Sequence, residues 1–151
     1  MKKEKTKISF KKRLLIIILS VLGLIIIFMA VGILATSSGR NEIKDMQISN
    51  IPFNGLKDGT YIGEYVGTKD NFRDTEGKIT VLGGKITDIK VTKGILSGKE
   101  ASELNTKKET IYDLFDRIIS SQSLGVDIIS GATLTSKTHL KAVENAVEKS
   151  K

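Results

Sequence analysis

The chain has no cysteine, one proline and one histidine among its 151 residues. Without cysteine it can form no disulfide, no thiolate-ligated metal site and no cysteine-borne lipid anchor. The single histidine, His139, has Thr135 as its nearest helical neighbour, which is not a nucleophile–base–orienter set. His139 is therefore expected to be a solvated helical residue. The carboxylates are scattered rather than clustered, so no Asp/Glu set for a metal is visible. Asp113 and Asp116 are expected on the solvent face of their helix. Nothing in this inventory supports an enzyme acting on a substrate of its own.

Acidic residues are also scarce where basic ones are dense. Residues 1–13 hold seven basic groups against Glu4 alone, leaving 17 basic and 16 acidic groups in the remainder. The net charge of +7 thus belongs almost wholly to the N-terminal tail. A nearly neutral remainder lacks the electrostatic footprint of a nucleic-acid binder.

Leu14–Ala35 carries no charge and is dominated by Leu, Ile and Val. A bilayer core is crossed by roughly 20 such residues in a helix. The basic cluster precedes the run, which predicts a cytoplasmic N-terminus and an extracytoplasmic remainder. The alternative is a cleaved signal peptide, whose apolar region is usually shorter, about 7–15 residues. The layout expected is a basic cytoplasmic tail (1–13), a transmembrane anchor (14–35), a polar tether (36–57) and a domain (58–151). Ile48, Ile51 and Phe53 are candidates for docking the end of the tether.

Within the domain, Thr60–Val66 has strand composition, weakened by Gly63. Gly67–Gly77 reads as a loop. Lys78–Leu82 and Lys85–Val91 flank Gly83-Gly84, a two-residue hairpin signal. Ile79 and Val81 share one face and Ile89 and Val91 share another. Ile86 is out of phase with Ile89, which predicts a bulge or strand end. Thr92–Asn105 is irregular or a short helix. Thr106–Ser123 is a predicted helix with Ile111, Leu114, Phe115, Ile118 and Ile119 on one face and a Thr106/Glu109 capping box. A second helix runs to about Lys149, with Leu140, Val143, Ala146 and Val147 on one side. Together these elements predict a small α+β fold, an antiparallel sheet packed against two amphipathic helices and preceded by one N-terminal transmembrane helix.

Between the two helices lies Asp127-Ile128-Ile129-Ser130-Gly131-Ala132-Thr133, followed by Leu134-Thr135-Ser136. Gly131 and Ala132 remove side-chain bulk beside Thr133, and Gly131 admits backbone angles closed to other residues. Thr135 and Ser136 are natural N-caps for the helix that follows. A helix N-terminus offers free N–H groups and partial positive charge, which suit a phosphate. The physical reading is a hydroxyl displayed beside a phosphate-friendly turn. An ordinary helix-capping loop is the plainer alternative.

The stretch resembles the flavinylation motif of the FMN-binding domain family, Asp-x-x-Ser/Thr-Gly-Ala-Thr/Ser. Asp127, Ser130, Gly131, Ala132 and Thr133 match every specified position, a match expected by chance in on the order of one chain in a thousand of this length. Asp58-Gly-Thr-Tyr and Gly84-Lys-Ile-Thr-Asp-Ile-Lys-Val with the preceding Gly83 resemble the opening of the same family, so the resemblance spans roughly Asp58 to Val147. Where family members often carry His or Glu followed by Thr-Pro-Gly, this chain reads Lys93-Gly94-Ile95-Leu96-Ser97-Gly98-Lys99-Glu100. The resemblance implies FMN held by a phosphoester at Thr133, with Asp127, Ser130, Gly131, Ala132 and Thr135 around it. It also implies that a separate flavin transferase installs the cofactor, Asp127 serving that step. The implied role is electron transfer between a membrane donor and an extracytoplasmic acceptor whose identity the sequence does not name. A reversible FMN-binding sensory module and a cofactor-free interaction domain are the competing readings. Tyr61, Tyr65, Phe72, Leu96, Ile128 and Ile129 are candidate covers for the flavin ring, each equally explicable as core.

Overall fold

A computed structural model describes residues 10–35, 37–94 and 109–151. The chain divides into two compact units, residues 1–37 and 38–151. The described part of the first is helix α1, Phe10–Ala35, in which no residue is buried. Its 26 residues extend about 39 Å at 1.5 Å per residue, longer than the roughly 30 Å of a bilayer core. The helix begins ahead of the apolar run, so Lys11, Lys12 and Arg13 form its first turn. By length and composition α1 is able to cross a membrane.

The second unit opens with α2, most of Ser37–Asp45. The sheet follows as β1 (Gly59–Tyr65), β2 (Thr75–Leu82) and β3 (Lys85–Lys93), paired antiparallel in the order β1-β2-β3. Helices α3 (Ile111–Ser121) and α4 (Thr133–Lys149) complete it. The expected α+β architecture is present, with α4 laid over β1 and β2 and α3 against β3.

The hairpin forms where the sequence places it. Gly83 and Gly84 have φ of 60° and 72°, the pair of left-handed angles that a type I′ turn needs. Asp58 clamps the turn from the side, its carboxylate accepting from both N–H groups at 2.9 Å. Those two bonds hold the Asp58 carboxyl below its usual range. The bulge is there too: Val81 pairs with Ile86 and Thr80 with Asp88, so Thr87 is the extra residue. This lets Ile86 and Ile89 face the core together, at 1% and 4% exposure. β2 begins earlier than expected, at Thr75, so Thr75–Gly77 belong to the sheet rather than to the loop.

The core joins Ile79 and Val81 of β2, Ile86 and Ile89 of β3, Ile111, Leu114, Phe115 and Ile118 of α3, and Leu140, Val143, Ala146 and Val147 of α4. Burial of each large aliphatic here contributes about 1.5–3 kcal/mol. Helix α3 starts later than its sequence suggests. Glu109 and Thr110 precede it, Thr110 is the N-cap, and the capping box is Thr110 with Asp113. Asp113 stays on the open side of the helix, where it also closes the helix end, and its carboxyl is held low by the Thr110 N–H. Thr106, Leu96 and the rest of 95–108 lie outside the described residues.

The stretch expected to be a tether is packed over much of its length. Ile43 of α2 is buried, and Phe53 and Leu56 enter the core, with Ile48 and Ile51 against it. Polar contacts fix the same stretch. Ser49 N–H donates to Oε1 of the buried Glu144, whose Oε2 accepts from Lys141 Nζ. Lys137 Nζ donates to the carbonyls of Lys44 and Met46. Lys57 N–H donates to Ser150 O. The expected docking of Ile48, Ile51 and Phe53 is thus present, while Ile43 and Leu56 extend it at positions that follow no single period, which is why the sequence pattern does not announce those two.

Candidate functional site

The motif loop leaves α3 through Gln122, whose φ of 50° ends the helix in the left-handed region. Leu124 and Ile129 are pulled into the core and pin both ends of the loop. Between Ile129 and Ala132 the chain turns back on itself, Ala132 N–H donating to Ile129 O at 3.1 Å. Gly131 sits at the third position of that turn with φ of 81°, the angle that a type II turn demands and that glycine adopts without strain. The turn feeds directly into α4.

Helix α4 therefore starts at Thr133, with Ala132 as N-cap and no side chain capping it. This corrects the expectation that Thr135 and Ser136 cap the helix. The turn at Gly131 brings the chain into helical geometry two residues sooner, so both lie inside the first turns. Ser136 is fully buried and its Oγ accepts from Ile129 N–H at 3.3 Å, tying the loop to the helix. Thr135 is half-buried. Among the described residues no side chain caps the first-turn N–H groups, and the partial positive charge of the helix end lies with them.

Thr133 is exposed, and its hydroxyl makes no hydrogen bond among the described residues. Ser130 and Gly131 are exposed and Ala132 is half-buried. Among the described residues a β-carbon placed on Gly131 would meet nothing within 4 Å, so they leave the space over the turn open. Asp127 is exposed, and its carbonyl accepts from Arg117 Nη1 at 2.8 Å. Arg117 Nη2 pairs with Glu109, so one guanidinium links α3, the residue before its N-cap and the start of the motif. Sequence reasoning missed Arg117, because a lone arginine on a polar helix face carries no local signal. An open cleft beside it is lined by Arg117, Ser120, Ser121, Gly125, Val126 and Asp127.

The candidate ring covers separate by exposure. Ile129 and Tyr65 are buried, and Tyr61 is half-buried with its hydroxyl bonded to Lys57 O. Ile128 is 38% exposed within the motif loop, and Phe72 is 61% exposed at the β1–β2 loop. Tyr112, not singled out from sequence, is 41% exposed in the first turn of α3.

His139 is not solvated. It is 3% exposed and its ring lies 6.0 Å from that of Phe115. The apolar face read from Leu140, Val143 and Val147 continues back through residue 139, one turn before Val143, and that periodicity was the available signal. Nδ1 faces Thr135 O at 2.8 Å and must carry the proton, since a carbonyl only accepts. Nε2 is buried without a partner among the described residues. Burial pushes the His139 pKa below 6.5. The unfolded chain therefore takes up a proton as pH falls through 6.5 while the folded chain resists, and stability falls with it. Denaturant midpoints should drop between about pH 7.5 and about 5.5, and His139→Leu should flatten that slope. An equally steep slope in the variant would assign the effect elsewhere.

The sequence profile of the FMN-binding domain family matches residues 73–148, half of the chain and the part that contains β2, β3, α3, the motif loop and nearly all of α4. The chain belongs to the FMN-binding domain family. Among solved structures it is similar to the crystal structure of the CPE2226 protein from Clostridium perfringens, with 27% identity over 63% of this chain and 88% of that one and a TM-score of 0.49. No curated protein matches the chain.

Proposed function

We propose that this protein is a membrane-anchored, extracytoplasmic flavoprotein that carries FMN through a phosphoester at Thr133 and relays electrons. In this reading it is the substrate of a flavin transferase and not itself an enzyme. The observation that carries the proposal is Thr133 itself. Thr133 is exposed and its hydroxyl is unengaged among the described residues, at a helix N-terminus that no side chain caps among them, directly after the small residues Gly131 and Ala132 and inside the segment that matches the family. Attached FMN would supply one- or two-electron chemistry. The chain's own residues supply the anchoring oxygen, the phosphate-facing N–H groups of the first helical turn, and the rigid turn that presents them. A site outside the cytoplasm also favours a covalent link, since a dissociable cofactor would be lost by diffusion.

Basic residues before the apolar run support a cytoplasmic N-terminus. The domain's attachment supports exchange with a membrane donor. Lys137, one helical turn beyond Thr133, is hydrogen-bonded to the carbonyls of Lys44 and Met46, so the stretch leading in from the anchor is fastened near the flavin-bearing end of α4. Intact-mass measurement of protein from a host expressing the transferase tests the reading. The expected result is a gain of one FMN less one water that survives denaturation. Flavin that is released on denaturation would favour a reversible sensory module instead.

Gly131 gives a finer test. A branched residue at φ of 81° is strained, by about 1–2 kcal/mol, and would crowd the approach to Thr133. Asparagine tolerates that angle at lower cost. Flavin loading is expected to fall severely in Gly131→Val and partly in Gly131→Asn, read by in-gel fluorescence against total protein. Full loading of Gly131→Val would show that neither the turn nor the open space is needed.

A further inference from the structure

We propose that the β1–β2 loop around Phe72 rests in the phospholipid headgroup layer and forms a second membrane contact beside the anchor; this rests on the reading of α1 as a membrane span. Phe72 and Val66 are large apolar residues left 61% and 52% exposed on this loop. The guanidinium of Arg73 lies over the Phe72 ring, 5.3 Å from its centroid. Lys69 is exposed alongside. An aromatic ring flanked by long cationic side chains suits the membrane interface, where the ring takes the apolar side and the charges reach phosphate.

Two observations bring lipid within reach of that loop. The first is its attachment to α2. Thr68 N–H and Lys69 N–H donate to the Glu42 carboxylate, at 2.9 and 3.1 Å for their nearer oxygens. Gly39 is packed so closely on Asp70 that a β-carbon there would fall 1.8 Å from Asp70 Oδ2. Asp70 Oδ1 in turn accepts from Phe72 N–H at 3.1 Å, and Asp74 Oδ1 accepts from Gly67 N–H at 2.9 Å. The acidic side chains of Asp70 and Asp74 are thus engaged in holding the loop, which leaves Lys69 and Phe72 among its exposed residues.

The second is chain length. Ala35 ends α1, and Gly39 follows four residues later. Four residues span at most about 14 Å whatever angle the chain takes. Headgroups occupy roughly 5–8 Å on each side of the hydrocarbon core. Asp70 touches Gly39, and Phe72 is two residues from Asp70. The loop therefore lies within reach of the headgroups, and its exposed ring has an occupant that the fold alone does not supply.

The chain has no tryptophan, so Phe72→Trp in the full-length protein creates a single reporter on an already exposed site. Leu82→Trp is the matched control. Leu82 is 59% exposed but ends β2 at the hairpin, about 23 Å along the strand from Thr75. Both flavin-free proteins are reconstituted into phosphatidylcholine vesicles with and without lipids spin-labelled near the glycerol backbone. The Phe72→Trp protein should show blue-shifted emission and be quenched roughly twofold or more, while the Leu82→Trp protein stays unshifted and unquenched. Equal, weak quenching of both in protein that floats with the vesicles would overturn the loop contact and leave the anchor intact. Protein that fails to float with vesicles at all would overturn the anchor and this inference with it.

Discussion

Thr133→Val will give a folded protein with no covalent flavin. Valine keeps the shape and β-branching of threonine and removes only the oxygen that a phosphoester requires. Thr133 is exposed and its hydroxyl has no partner among the described residues, so the change should shift stability by no more than about 0.5 kcal/mol. Loss of label with an unchanged unfolding midpoint is therefore the expected pair of results. Thr133→Ser restores the oxygen and should largely restore the label, with some loss because the freer side chain is less well aimed. Thr135 is the informative control. It is half-buried and its carbonyl is engaged by His139 Nδ1, so Thr135→Val should keep its flavin. A fluorescent band that survives Thr133→Val and disappears with Thr135→Val would move the attachment site and with it the whole reading of the loop. Absence of label in every form made beside an active transferase would remove the covalent reading altogether.

What could be read from the sequence was what short-range physics decides. The hairpin needed two positive φ angles, and the pair Gly83-Gly84 offered them between two runs of strand composition. The bulge followed from a conflict of phase between Ile86 and Ile89, and the structure resolves that conflict by looping out Thr87. The apolar face of α3 was visible because one side of a helix repeats. Helix starts were misplaced for a common reason. Several hydroxyl or carboxylate residues stand near each start, so type alone does not choose among them; at α4 the choice between Ala132 and Thr135 depends on where the preceding chain is pulled by the core. Ile129 and Leu124 exert that pull on the motif loop. His139 looks exposed by residue type, although its spacing from Val143 puts it on the buried side. Docking of Ile48, Ile51 and Phe53 was legible as apolar residues in a polar stretch, but the full extent of packing over 37–57 was not, because the rest is held by single contacts from irregular positions: Ser49 to Glu144, Lys137 to Lys44 and Met46, and Leu56 to the core. Long-range pairs of that kind leave no period in the sequence.

Gly63 shows the same limit and gives the largest expected effect on stability. In sequence it only weakens a strand. In the fold it is the point where α4 crosses β1, and a β-carbon there would lie 2.1 Å from Ala142 O and 2.3 Å from Ala146 N. Both colliding atoms are main chain, so no rotamer change relieves them. Relief requires lifting α4 off the strand, which would also strain the bonds from Asn145 to Glu64 O and from Lys149 to Ile62 O. Overpacking against movable side chains costs about 1–3 kcal/mol, and Gly63→Ala is expected at or above the top of that range. Such a loss corresponds to roughly 10–20 °C in Tm for a domain of this size. Gly77 is the direct cross-strand partner of Gly63 and provides the control. Among the described residues a β-carbon on Gly77 would meet only Ala142 Cβ, at 3.6 Å, an ordinary contact. Gly77→Ala should therefore be close to neutral, although the two glycines look alike in sequence. Ala142→Gly should not rescue Gly63→Ala, because the obstructing oxygen remains. Because α4 also carries Thr133, flavin loading of Gly63→Ala should fall in step with the folded fraction, and full loading should return where low temperature restores the fold. Thermal unfolding of the two alanine variants side by side decides the matter: comparable midpoints would show that α4 does not press on β1 at Gly63.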